Sequence, residues 1–415
     1  MTTAPPASRL RRLLDHGGII AIAVMVMNVA TYGFQMVAAR LMGPDQYGGL
    51  ASLLAVALVV GVLQLGLQAT AARRIATEPN DVAGVERAIL HIAYRASLVL
   101  FVVMLALSPV LERMLRLDSI YPALLLALGT IPLTVMGAQA GILQGERRWR
   151  PLALIYVAVG VPRILIGTVA LLVRPTEGSA MAAVTVAWFA PAIVGWLALR
   201  GNKRAADAPH QTRSVLAETW HGSFALLAFF ALSNVDIIIA RNVLSDTASG
   251  LYASGLILTK AVLFLPQFVT VIAFPSMTSA SERRRTLLGS LALVGVLGLI
   301  CILGSIVLSG VAMIFIGGSE YAAVEDQLWL FALLGTILSS LQLLIYSVLA
   351  RQSHRPAYLV WAAVAVVVVA GLQVGTVTAL LTLVCVTDAV LLAVLLALSL
   401  WRMKDDVQAE PRPAQ

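Results

Sequence analysis

Charged residues are scarce in this sequence. Asp, Glu, Lys and Arg make up 12% of its 415 residues, where soluble domains carry about a quarter. With 60% hydrophobic residues, there is too little polar surface to cover a water-soluble protein of this size, and a soluble fold is excluded. Cysteine is nearly absent. Cys301 and Cys385 lie far apart inside apolar runs, which excludes a disulfide framework and fits two small core residues. No Cys/His spacing resembles a metal site, so no metal is expected. The pattern Gly-x4-Gly-Lys-Ser/Thr is missing, which argues against ATP hydrolysis and leaves no cofactor to expect. Large polar loops are missing too. The largest on the side poor in basic residues, Gly310–Gln327, has only Glu320, Glu325 and Asp326 as acids. An enzyme working at a membrane surface needs a substantial loop to present an acceptor, so no catalytic residue is assigned.

What the chain does have is long apolar runs. Twelve are long enough to cross roughly 30 Å of hydrocarbon. They are Gly17–Ala39, Tyr47–Ala72, Ala88–Leu111, Tyr121–Leu143, Leu152–Val173, Ala180–Leu199, Thr219–Ala240, Gly250–Met277, Leu287–Ser309, Leu328–Ala350, Ala357–Val374 and Thr376–Trp401. Backbone in lipid must bond internally, so the runs are expected to be helices. Strand-length alternation of a membrane β-barrel is absent. The expected fold is all-α and integral to the membrane, with about twelve transmembrane helices in two pseudo-symmetric six-helix lobes. The N-terminal run imitates a signal peptide behind Arg9, Arg11 and Arg12, but it is as long as a membrane span, too long for a signal core.

The basic residues set the orientation. Of 29 Lys and Arg, 21 fall in loops or ends on one side, and only Arg40, Arg113, Arg116, Arg174 and Arg241 on the other. The bias alternates through every loop, so both termini are expected in the cytoplasm. This placement accounts for the net charge of +8 without a nucleic-acid partner. The expected divisions are a cytoplasmic segment 1–16, a lobe 17–199, a polar linker 200–218, a lobe 219–401, and a cytoplasmic tail 402–415 without fixed structure.

An internal repeat supports two related lobes. Ala39-Arg40, Asp45 and Gly49-Leu50 recur as Ala240-Arg241, Asp246 and Gly250-Leu251 at a constant offset of 201. Arg150-Pro151 and Arg355-Pro356 open spans five and eleven. Both halves begin on the same side, so the repeat is parallel about an axis along the membrane normal.

The stretch Ala38–Val56, with Leu-Gly-Pro-like residues Met42-Gly43-Pro44 and Tyr47-Gly48, resembles the first hairpin of oligosaccharide and polysaccharide flippases. These belong to the multidrug/oligosaccharidyl-lipid/polysaccharide exporter superfamily. Asn234–Met277 is similar as well, with Asn234-x-Asp236, then Gly250-x-Tyr252-Ala253, Lys260, and two later Phe/Pro pairs. The resemblance implies two six-helix lobes around a central cavity opened alternately to each side. It also implies a substrate built as a sugar chain on a polyprenyl diphosphate, carried across the cytoplasmic (inner) membrane for cell-surface polysaccharide synthesis. Membrane lipid and that lipid-linked sugar are the expected partners, H+ or Na+ a candidate coupling ion, and a monomer the expected state. The twelve spans depart from the fourteen of peptidoglycan-precursor flippases, which disfavours that substrate. A drug/cation antiporter of the same superfamily is the alternative, and a membrane glycosyltransferase or polymerase a more distant one.

Ionisable groups inside a membrane cost several kcal/mol unless paired or hydrated, so the few present are candidates. Arg163 follows Pro162 in span five; it is either a diphosphate ligand or a bridge between helices. Lys260 in span eight is either a phosphate contact or the ion-pair partner of Asp236. Arg95 lies four residues after His91 near the cytoplasmic end of span three; it either meets a head group or snorkels to the interface. Asp236 and Asp388 are candidates for ion coupling. Asn28, Gln35, Gln64, Gln68 and Asn234, with Gln139 and Gln342, either line a polar cavity for sugar hydroxyls or bond between helices.

Overall fold

A computed structural model of the chain describes residues 6–78, 81–200, 212–263, 280–349 and 355–409. The described residues are helical apart from short connections. The helices are α1 (Pro6–Val60), α2 (Val62–Thr77), α3 (Val82–Met114), α4 (Tyr121–Gly145), α5 (Trp149–Val173), α6 (Glu177–Leu199), α7 (Thr212–Val243), α8 (Asp246–Leu263) and α9 (Ala280–Val307). They continue as α10 (Ser309–Ile316), a 3-10 segment (Ser319–Gln327), α11 (Leu328–Leu349), α12 (Arg355–Gly371) and α13 (Val377–Ala409). Nine helical stretches among the described residues are long and apolar enough to cross a membrane. One of them, Gly18–Thr77, is 60 residues long and holds the first two expected spans. The shorter apolar helix Ala357–Gly371 and α8 fall on spans eleven and eight. Beyond Leu263, span eight lies outside the described residues, as do Phe264 to Met277 of its motif.

Local chemistry sets several boundaries. Asp81 caps α3 by accepting the Gly84 amide at 3.0 Å. Thr176 and Ser179 form a reciprocal capping box at the start of α6, which satisfies amides the helix leaves open. Pro122 sits in the first turn of α4, where its missing N–H costs nothing. The turn expected between Gly371 and Thr378 separates α12 from α13.

Three boundaries differ from the sequence reading. The first two spans are joined with almost no loop: the helix is interrupted only at Gly43, whose φ of 71° and ψ of 170° break the ladder before Pro44. That φ lies in the left-handed region open to glycine. The linker expected to reach residue 218 gives way to helix at Thr212. The tail expected to lack fixed structure from residue 402 is helical to Ala409. Once a long helix exists, each added residue gains a hydrogen bond for little ordering cost, so polarity alone does not end it.

The chain divides into two compact units. One comprises Met1–Leu41 and Val56–Ser223, the other Met42–Ala55 and Phe224–Gln415. In the first, α3 packs on α4, α5 on α6, and α4 on both α2 and α6. Its core gathers Leu67, Ala71, Ile89, Ile92, Ile142 and Ile155. Small residues let α4 and α2 come close: a Cβ on Gly137 would lie 2.4 Å from the Gln64 carbonyl oxygen, and one on Gly141 2.4 Å from that of Gln68. Lipid offers no hydrophobic drive for helices to associate, so this close contact is what holds them. In the second unit, α11 packs against α8, α9 and α13, and α12 against α13. Outward faces of α3 and α9 expose Leu98, Val99 and Val102, and Val296, Leu299 and Ile300, as a lipid-facing surface requires.

Candidate functional site

The second unit gathers Asn234, Asp236, Lys260 and Asp388 on α7, α8 and α13. Asn234 and Asp236 lie two residues apart on α7, each 2% exposed. The Asn234 amide donates to the Phe230 carbonyl oxygen at 2.9 Å and to Ser233 Oγ at 3.1 Å. This orients its Oδ1 to accept from Lys260 Nζ on α8 at 2.8 Å. The expected Lys260–Asp236 pair therefore takes another form. Lysine bonds the neutral amide, and Asp236 Oδ2 accepts from the Tyr252 hydroxyl at 2.8 Å. Lys260 still lies within electrostatic reach of Asp236. Tyr252 is held in place by an edge-on contact with Phe331, ring centroids 5.6 Å apart.

Asp388 on α13 is 0% exposed, and neither of its carboxylate oxygens has a hydrogen-bond partner among the described residues. Among the described residues Asp236 Oδ1 has none either. The two acids lie within electrostatic reach of each other. Two buried carboxyl groups with open acceptor positions, beside a lysine engaged by an amide, can take up a proton or a small cation. Among the described residues, no group of three or more His, Cys, Asp or Glu is arranged to hold a metal. Tyr252 was read in the sequence only as part of the Gly250-x-Tyr252-Ala253 motif and not as a site residue; its position eight residues before Lys260, about two helical turns away, was the available signal.

In the first unit, Arg163 on α5 is 8% exposed, with its guanidinium 5.2 Å from the centre of the Phe34 ring on α1. Pro162 precedes it inside the helix. Gln35 follows Phe34 and is half-buried, as is Asn28 on the same helix. Gln68 on α2 donates through Nε2 to Gln144 Oε1 at 3.1 Å and to the Tyr156 hydroxyl at 3.0 Å. Gln144 and Tyr156 were not singled out by sequence, since neither interrupts an apolar run with charge. Gln64 lies against Gly137, and Gln139 is buried at 2% against Gly195. Gln342, on α11 of the second unit, is buried at 7%. Arg95 and His91 are exposed on α3, on a stretch that also exposes Tyr94, Leu98 and Val99. The structure thus brings Asn234, Asp236, Tyr252 and Lys260 together with Asp388 nearby, and places Arg163 and Arg95 in the other unit.

Similar proteins agree with this architecture. A multidrug resistance MATE family transporter of the MOP superfamily, solved in an inward-facing conformation, superposes with a TM-score of 0.72 at 15% identity, covering 94% of this chain and 96% of that one. The MATE multidrug transporter DinF-BH gives 0.69 at 15% identity, covering 96% of each chain. A MOP superfamily transporter from Pyrococcus furiosus, described as having a binding pocket of reversed polarity, gives 0.56 at 13% identity, covering 94% of this chain and 95% of that one. No curated protein matches in sequence. The chain is therefore an all-α, multi-pass membrane protein that shares its fold with these transporters. Residues 13–281 match the family described as "Polysaccharide biosynthesis protein", and the chain belongs to that family.

Proposed function

We propose that this protein is a flippase that moves a polyprenyl-diphosphate-linked oligosaccharide across the cytoplasmic membrane by alternating access, for cell-surface polysaccharide synthesis. The observation that carries the reading is the polysaccharide-family match over residues 13–281, joined to a guanidinium held within the membrane-spanning part at Arg163. Arginine keeps its charge there and binds phosphate oxygens in pairs. Half-buried amides, Asn28, Gln35, Gln64 and Gln68, supply the chemistry for sugar hydroxyls. The lipid tail has no need to enter the protein and stays in the bilayer. Asp236 and Asp388 take up H+ or Na+ and couple its gradient to the cycle. Both termini lie in the cytoplasm, and the protein acts as a monomer.

A second reading has specific support. The MATE relatives are described as multidrug transporters, and buried acids such as Asp236 and Asp388 suit an organic cation as well as a coupling ion. Mass spectrometry of polyprenyl-linked sugars in cells with and without the gene separates the two. Accumulation of one diphosphate-linked oligosaccharide after deletion is the expected result. An unchanged lipid pool, together with greater sensitivity to cationic drugs, overturns the flippase reading in favour of the antiporter.

A further inference from the structure

Helix α3 has one face that its own unit leaves uncovered. It packs on α4 and α2, burying Val85, Ile89, Ile92 and Ala93. The other side exposes Arg87, His91, Tyr94 and Arg95, and beyond them Leu98, Val99 and Val102. Arg87, His91 and Arg95 recur every four residues, so they climb one face in steps of about 6 Å. Among the described residues, no hydrogen bond or ion pair engages these three side chains or the Tyr94 hydroxyl. The acids nearest in sequence are occupied elsewhere. Asp81 caps the helix through the Gly84 amide, and Glu86 is buried. The polar cluster on α7, α8 and α13 gives His91 and Arg95 no role.

Depth identifies what meets them. From Ala96 to Leu111 the helix has no charged residue. That run is about 24 Å long, against roughly 30 Å of hydrocarbon in a bilayer, and a long arginine stem reaches across the remainder. Arg95 therefore stands at the hydrocarbon boundary, with His91 about 6 Å and Arg87 about 12 Å further out, across the layer of lipid phosphates. Loop charge predicts that this end faces the cytoplasmic leaflet, whose anionic lipids attract basic side chains. A guanidinium on a lipid-facing surface needs an anion at that depth, and a phosphate accepts two of its N–H groups at once. A zwitterionic head group brings its own cation and suits two arginines in line less well. Tyr94 fits the same level, ring towards the acyl chains and hydroxyl among the head groups. Leu98, Val99 and Val102 lie deeper, where the chains of the same lipid run. We propose that Arg87, His91, Tyr94 and Arg95 form a docking site for the head group of an anionic phospholipid of the cytoplasmic leaflet. The site lies within the first unit, and its occupancy is measured without transport, so it stands or falls apart from the flippase reading.

The test reads which lipid lies against the ladder. In a background with Cys301 and Cys385 replaced by Ser, Leu98→Cys carries a bimane fluorophore, and the full chain is placed in phosphatidylcholine nanodiscs. A minor fraction of phosphatidylglycerol with brominated chains is included as quencher. The same fraction of brominated phosphatidylcholine sets the level for random occupancy. Phosphatidylglycerol is expected about fivefold above that level, the preference that one arginine supplies at an anionic surface. Arg87→Gln with Arg95→Gln is expected to return occupancy to random. Arg87→Lys with Arg95→Lys is expected to keep most of the enrichment, because the charge survives. Random occupancy beside the native ladder, or equal enrichment in the glutamine variant, overturns the proposal. Loss of the enrichment on adding a trace of polyprenyl diphosphate overturns it too, and gives the ladder to the transport substrate instead.

Discussion

Asp388 shows how much a single residue can carry in this fold. It is fully buried, with neither oxygen bonded among the described residues, and an unpaired carboxylate in hydrocarbon costs several kcal/mol. A proton or cation would remove that cost, and the proposed coupling to an ion gradient rests on it. Asparagine keeps the shape and discards the charge. Asp388→Asn and Asp236→Asn are therefore expected to leave the melting temperature unchanged or raised, while abolishing the response of transport to an imposed H+ or Na+ gradient in proteoliposomes. A full response in both variants removes these acids from coupling. Arg163 makes a different demand. Charge-assisted hydrogen bonds are worth about 1.5–3 kcal/mol, so Arg163→Ala is expected to slow flipping by roughly tenfold to a hundredfold. Arg163→Lys should recover part of that, because a point charge replaces a two-pronged one. Equal rates in Arg163→Ala and the native protein exclude the phosphate role. The candidates were visible in the sequence because charge interrupts apolar runs so rarely. Their partners were not: whether Lys260 meets Asp236 or Asn234 depends on the rotation of α8 against α7, which hydropathy does not encode.

At the scale of the element, packing rather than composition decides. The helices were legible because lipid forces every apolar run of sufficient length to bond its own backbone. Their ends were less so, since α13 runs on into polar sequence and only Gly43 interrupts α1. Glycines on α4 separate contact from mere presence. At Gly141 a Cβ would lie 2.4 Å from a backbone oxygen of α2, and backbone cannot swing aside as a side-chain end can. Gly141→Ala is thus expected to destabilise the first unit by about 1–3 kcal/mol, read as a lowered melting temperature in detergent. On α9, a Cβ added to Gly289 would meet nothing within 4 Å; Gly289→Ala should be neutral or stabilising by about 0.5–1 kcal/mol, since alanine favours helix. A matching drop for both would mean that helix–helix approach is not what the α4 glycines secure.

Across the whole molecule, the same sequence encodes orientation and exchange very differently. Orientation is written in loop charge, through an energetic bias that each basic loop contributes independently, so it can be read without knowing any contact. The grouping of Met42–Ala55 with the second unit depends on many residues meeting at once, and only the repeat around Asp45 and Asp246 hinted at it. Loop charge yields a test of its own. A green fluorescent protein fused after Gln415 should fluoresce, and alkaline phosphatase at the same site should be inactive, because both termini are expected in the cytoplasm. Fused within Gly310–Gln327, whose acids are Glu320, Glu325 and Asp326 and which holds no Lys or Arg, alkaline phosphatase should instead be active. Recharging that loop with several arginines while neutralising Arg283, Arg284 and Arg285 sets two neighbouring loops against the rest of the chain. If orientation is the sum of independent loop biases, the flanking span should insert poorly and phosphatase activity in the loop should fall, with the C-terminal reporter unchanged. Inversion of the entire chain by that local change would show instead that one region dictates orientation for the whole chain.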